Sequence, residues 1–191
     1  MNSRSIAWLV GSLCAALIVI GGIISLRMFV LNPYRVPTGG MSPTIRPGAV
    51  IWGYKLAYFS ASDVRRTDLV FHRAKGRDGK VEVYVKRVIG IPGDRVRTAG
   101  RRVFVNDVEL TQTYLKEEGS LSVYEEAQDG VRHQIALQLS PSVRQSAPDV
   151  DITVPPDSFF VLGDNRMNSL DSRYTGCIHW EDIGGKIVWL Q

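Results

Sequence analysis

The chain has 191 residues, of which 23 are basic and 19 acidic, for a formal charge of +4. Arg4, Arg27 and Arg35 fall within the first 35 residues, which carry no acid, so the other 156 hold 20 basic against 19 acidic side chains and are nearly neutral. That excludes nucleic acid as a partner, because a nucleic-acid protein carries its basic surface on the folded domain, and 45% hydrophobic with 22% charged residues excludes a disordered chain.

After a short tail of residues 1–5, no charged side chain occurs from Ile6 to Leu26, and the apolar run continues through Met28, Phe29, Val30 and Leu31. A helix needs roughly 20 apolar residues, at about 1.5 Å each, to cross a bilayer core of about 30 Å. Residues 6–31 are therefore expected to form one transmembrane anchor. The run is too long for the core of a cleavable signal peptide and lacks an A-x-A-like ending. Charges flank it on both sides, so they leave its orientation open.

From Pro33 onward the pattern becomes one of short strands, and the expected fold class is mainly β. Ala49–Gly53, Asp68–Phe71, Val81–Val88, Arg95–Val96 and Val103–Val105 are apolar or alternating runs. Pro92-Gly93-Asp94, Gly76–Gly79 and Asn106-Asp107 read as turns between them. Ser62–Arg66 suits a short capped turn. Residues 110–151 are polar and irregular, with possible strands at Val123-Tyr124 and Gln134–Leu137, and read as a smaller β insertion on the core. The core resumes at Ser158–Leu162 and closes at Gly184–Leu190. One domain over 36–191 with this insertion is expected.

Familiar chemistries find no pattern here. His72, His133 and His179 are isolated, and Cys14 and Cys177 are too few for a zinc site or a disulfide framework. No metal and no cofactor is expected, and no phosphate-cradling glycine loop occurs.

Four segments carry a resemblance. Pro37-Thr38-Gly39-Gly40-Met41-Ser42-Pro43-Thr44, Arg66–Phe71, Tyr84–Asp94 and Gly163-Asp164-Asn165-Arg166-Met167-Asn168-Ser169-Leu170-Asp171-Ser172-Arg173 resemble, in this order, the conserved boxes of bacterial type I signal peptidases. The resemblance implies a membrane-anchored serine endopeptidase with a Ser-Lys dyad, acting on the signal peptides of exported precursors. It implies a single pass through the cytoplasmic membrane, residues 1–5 on the cytoplasmic side and a signal-peptidase-like β domain on the exported side. Lipid bilayer and signal peptide are the implied partners, and a monomer is the expected state.

In that family Lys86 corresponds to the general base. A serine needs a base to attack an amide, and an amine can serve if burial lowers its pKa from about 10.4 toward roughly 7 to 8. Lys86 sits beside Val85 and Val88 in an apolar strand, which suits this demand. Thr38 and the backbone of residue 40 match the oxyanion donors. Ser169 matches a hydroxyl that orients the lysine amine, and Asp164, Asp171, Arg87 and Arg173 match bracing charges, with Arg87 on the strand face opposite Lys86. Met167 and Ala49 stand where relatives often carry Asp.

The nucleophile position itself is Gly40, which has no side chain. Ser42 and Thr38 lie two residues away, about 6 to 7 Å along an extended chain. Three readings stay open: a signal peptidase whose nucleophile has been changed, a naturally inactive homologue that binds precursors without cutting them, and a hydrolase with another nucleophile, Ser42 being the nearest candidate.

Overall fold

The computed structural model describes residues 3–75, 79–137 and 147–190, so the tip of the hairpin expected at Gly76–Gly79 lies largely outside the described residues. The chain divides into two compact units, Met1–Asn32 and Pro33–Gln191. The first contains helix α1, Ser3–Val30, followed by the start of strand β1, Leu31–Arg35. Apolar side chains of α1 such as Leu13, Leu17, Ile18, Val19 and Ile20 are exposed, and at 100° per residue the run from 17 to 20 covers every face. Among the described residues, no helix is long and apolar enough to cross a membrane. The transmembrane anchor expected over 6–31 is therefore not supported, and the element that stands there is helix α1.

The second unit is built from β2 (Val50–Tyr54), β3 (Leu69–Lys75), β4 (Val81–Gly90), β5 (Arg95–Ala99), β6 (Arg102–Val105), β7 (Val108–Glu109), β8 (Thr111–Glu118), β9 (Leu121–Gln128), β10 (Val131–Leu137), β11 (Asp151–Thr153), β12 (Ser158–Leu162), β13 (Ile178–His179) and β14 (Ile183–Leu190). A seven-stranded sheet runs in the order β1-β2-β14-β3-β4-β12-β13, and a four-stranded sheet in the order β11-β5-β6-β7. Among the described residues of this unit, helix is confined to single turns at Ala61–Asp63 and Trp180–Asp182 and to α2, Ser172–Thr175.

Strand β4 links the two sheets. Its first three residues are exposed and its last five buried, as it passes from an open edge into the core. Ile89, Val96, Val103, Phe160 and Leu162 pack together between the sheets, while Val70, Val88, Phe159 and Val161 pack on the other face. Gly90 stands where β4 and β5 approach closely, since a Cβ there would lie 2.5 Å from Val96 Cγ2. The turn that follows has Pro92 before Gly93 at φ +88°, with Asp94 N–H donating to Ile91 O at 3.0 Å, as the Pro-Gly pair demands.

Of the expected 110–151 insertion, 138–146 lie outside the described residues, and residues 110–137 are more ordered than their composition implied. They hold a third sheet, β10-β9-β8, with strands of 8, 8 and 7 residues from β8 to β10. Composition hid it because its buried positions include Ser122, Glu126 and Gln128. A legible signal was present all the same: Asp129-Gly130 joins β9 to β10 with both residues at positive φ, 50° and 78°, the two-residue turn that Asp-Gly favours.

Candidate active site

Lys86 lies in the middle of β4, paired in register with Val70 of β3, and Tyr84 is paired with His72. The period of two puts Lys86, Tyr84, Val70 and His72 on one face of the sheet. The amine is 5.8 Å from the centre of the Tyr84 ring and only 6% of the residue is exposed. Among the described residues, no carboxylate pairs with it. Burial pushes its pKa below the ordinary lysine value, and the nearby Arg173 charge adds to this, against the pull of Asp171 and Asp164.

Gly40 comes from a tight loop between β1 and β2. Ile45 N–H closes a turn on Met41 O at 2.8 Å, and Met41 and Ile45 are anchored in the core with Ile51 and Phe71. Gly40 is absent from the positive-φ residues, so its backbone does not require glycine. A Cβ built on it would lie 3.3 Å from Asn168 O, 3.8 Å from Lys86 Nζ and 3.9 Å from Ser169 Cα. A side chain at position 40 therefore points at the Lys86 amine.

The segment 163–173 closes the other side. Asn165 N–H donates to Gly40 O at 3.1 Å, and Asn165 Nδ2 to Gly39 O at 3.1 Å. Asp164, fully buried, receives both Nε and Nη2 of Arg87 at 2.8 and 2.7 Å and the Thr44 hydroxyl at 2.5 Å. Asp171 caps α2, accepts Gly163 N–H at 3.0 Å and holds the Arg173 fork at 2.8 Å, while Arg173 Nη2 also donates to Arg166 O at 2.7 Å. Arg87, on the face away from Lys86, and Arg173 thus each fix one end of this segment. Ser169 is buried beside the site, but its hydroxyl has no hydrogen-bond partner among the described residues. It packs against the Gly163 backbone instead of bonding the lysine amine, because the missing side chain of Gly163 leaves that space. Met167 and Ala49 are half-buried, and Ala49 simply packs on the core.

A groove of about 130 Å³ runs along the site, lined by residues 34–38, Gly40 and Met41 on one wall and by Glu82–Lys86 on the other. Thr38 is exposed in this wall. Ser42 is buried with its hydroxyl 3.6 Å from the Cβ position of Gly39, on the Pro47 side of the loop. Of the apolar and aromatic residues near the start of the domain, Ile51 is core, Trp52, Tyr54 and Tyr58 are half-buried, and Phe59 is 88% exposed.

Sequence reasoning missed the contribution of the third sheet. Arg166 donates through both terminal nitrogens to Glu126 of β9, which also takes Gln112 Nε2 at 2.9 Å and lies 3.2 Å from His133 Nε2. Burial opposes the Glu126 charge, yet Arg166, His133 and Gln112 together hold its pKa down at about 2. The backbone adds Ala136 N–H to Asp164 O at 2.8 Å and Arg166 N–H to Ala136 O at 3.1 Å. Nothing in the spacing of positions 126 and 166 marks such a pair.

A buried amine, with no carboxylate paired to it among the described residues, faces the empty side-chain position of Gly40 at the edge of an extended groove. The signal peptidase, peptidase S26, family model matches residues 6–190. The chain is 34% identical over 176 residues to a signal peptidase I of Pseudomonas fluorescens, covering 84% of this chain and 59% of that protein. It is 35% identical over 164 residues to a signal peptidase I of Bacillus caldolyticus, covering 85% of this chain and 80% of that protein. A solved signal peptidase I from Enterococcus faecalis matches 65% of this chain and 97% of its own at 26% identity, with a TM-score of 0.39. The chain belongs to the signal peptidase S26 family, and it spans about 59% of the length of its Pseudomonas relatives.

Proposed function

We propose that the domain is built to bind the signal peptides of exported precursors and to cleave them by a Ser-Lys mechanism, and that the chain as written is inactive because Gly40 supplies no nucleophile. The observation that carries this is the 3.8 Å between Lys86 Nζ and the Cβ position of residue 40. A hydroxyl on that carbon falls within hydrogen-bond reach of the amine. Neutral Lys86 takes the hydroxyl proton as the oxygen attacks the scissile carbonyl, then passes it to the leaving amine, and water repeats the cycle on the acyl-enzyme. The backbone N–H of residue 40 and the Thr38 hydroxyl are the donors for the oxyanion. Ser169, Asp164, Asp171, Arg87 and Arg173 support the geometry.

The substrate lies as an added strand between residues 34–41 and 82–86, with alternate small side chains entering the groove. The exported β domain comprises 36–191, with the third sheet as an insertion. Helix α1 holds the protein at the cytoplasmic membrane, a role supported by the uncharged run from Ile6 to Leu26 and by the exposed Leu and Ile side chains. Phe59 and Leu56, 88% and 50% exposed, extend the apolar surface available to the interface.

The test is the pair Gly40→Ser and Gly40→Ser with Lys86→Ala, assayed on a precursor with a defined A-x-A site. The single variant should exceed the parent by a factor of about 10³ or more, since loss of the nucleophile leaves only oxyanion and binding effects, and the double variant should return to background. A folded single variant that binds precursor but never cuts it would favour a naturally inactive binding homologue. Turnover by the parent that disappears in Ser42→Ala would assign the chemistry to Ser42 instead.

A further inference from the structure

We infer that the third sheet is a positioning element for the site, and that Glu126 is its key residue, acting through Arg166 on the segment that carries Ser169 and Asp171. This rests on the reading of Lys86 and residue 40 above. It assigns a role to residues 110–137, which the peptidase reading leaves without one.

The connection is continuous. Glu126 is fully buried and engages both terminal nitrogens of Arg166, itself 3% exposed. The residue before Arg166, Asn165, donates its N–H to Gly40 O and its side-chain amide to Gly39 O. Arg173 holds the carbonyl of Arg166 from the opposite side, so residue 166 is fixed from the third sheet and from α2 at once. Ala136 exchanges backbone bonds with residues 164 and 166 as an isolated parallel bridge to Asn165. The third sheet is therefore bonded to the segment whose Asn168 carbonyl and Ser169 Cα flank the side-chain position of residue 40.

A buried carboxylate with three donors bonded to it and a histidine beside it is an expensive way to fill a sheet interface. Taking two charges out of water costs several kcal/mol that an apolar pair does not incur, so a buried ion pair by itself is weak evidence of stability. What it supplies is direction: a two-pronged guanidinium–carboxylate pair fixes angle as well as distance. The segment 164–169 needs that, because residue 40 must meet Lys86 within a few tenths of an ångström to react.

The test uses three measurements. Hydrogen exchange on the unaltered chain should show the amides of 164–168 opening together with those of β9 and β10; independent opening would overturn the coupling. Titration of Lys86 by NMR of labelled lysine, assigned with Lys86→Arg, should move toward the ordinary lysine range in Glu126→Gln and in Glu126→Gln with Arg166→Met. The double variant removes both charges and so stays folded where the single one fails. In the Gly40→Ser background, the double variant should lose about tenfold or more in kcat with KM within about twofold. A folded double variant with an unchanged Lys86 titration would show that the pair only supports the fold. If Gly40→Ser itself is inactive, the peptidase reading fails while exchange and titration still decide the role of Glu126.

Discussion

Gly163 passes so close to Gly40 that a Cβ on it would lie 2.5 Å from the Gly40 carbonyl oxygen. Position 163 must be glycine for that approach, whereas position 40 accepts a side chain, with 3.3 Å to the Asn168 carbonyl as its tightest contact and no positive φ to strain. Two glycines of one site therefore differ in kind. Gly163→Ala should cost about 1–3 kcal/mol by overpacking, and Gly40→Ser less than about 1 kcal/mol, both read from urea midpoints at constant slope. A Gly40→Ser cost matching that of Gly163→Ala would show that position 40 cannot hold a nucleophile.

Because burial lowers the Lys86 pKa, the Gly40→Ser protein should have kcat/KM that rises with pH as Lys86 loses its proton and levels off well below about 10.4, the ordinary lysine value. A rate that still climbs above pH 10 would show that the free protein holds Lys86 in a water-like environment.

His72 is buried against Tyr84, with ring centres 5.8 Å apart, and burial with the Lys86 charge pushes its pKa down to about 4. The unfolded chain binds this proton near pH 6.5, so between about 6.5 and 4 it holds more protons than the folded chain and stability falls as pH falls. The contribution is complete above about 6.5 and amounts to roughly 3 kcal/mol across that window. Glu126, held at about 2, adds its own loss only below the ordinary glutamate range. His72→Gln should flatten the dependence of urea stability on pH between 4 and 6.5; an unchanged slope there would refute the assignment.

The Arg87–Asp164 pair is 5% and 0% exposed, with two hydrogen bonds between the groups. Asp164→Asn or Arg87→Met leaves a buried charge unpaired and should cost about 3–5 kcal/mol, while replacing both by apolar residues should recover most of it. Thermal and urea unfolding of the three variants checks this, and additive losses in the double variant would contradict the pairing.

The sequence determined the parts governed by local rules. β12 falls where its apolar run lies, β4 and β14 extend their expected runs by a residue or two, and the Pro92-Gly93 and Asn106-Asp107 turns follow from backbone preference alone. The boxes around Gly40, Lys86 and Asp164 were legible as motifs, and so was the missing hydroxyl. Tertiary structure decided what depends on distant partners. Strand β9 buries Glu126 and Gln128 where the local pattern wants apolar residues, so periodicity marked only Val123-Tyr124 and Gln134–Leu137 of β9 and β10 and missed β8. That a side chain at position 40 would point at Lys86 and that Glu126 grips Arg166 depend on contacts between residues 40 or more positions apart. Such contacts are set by how the sheets pack, and residue type and local spacing hold no record of them.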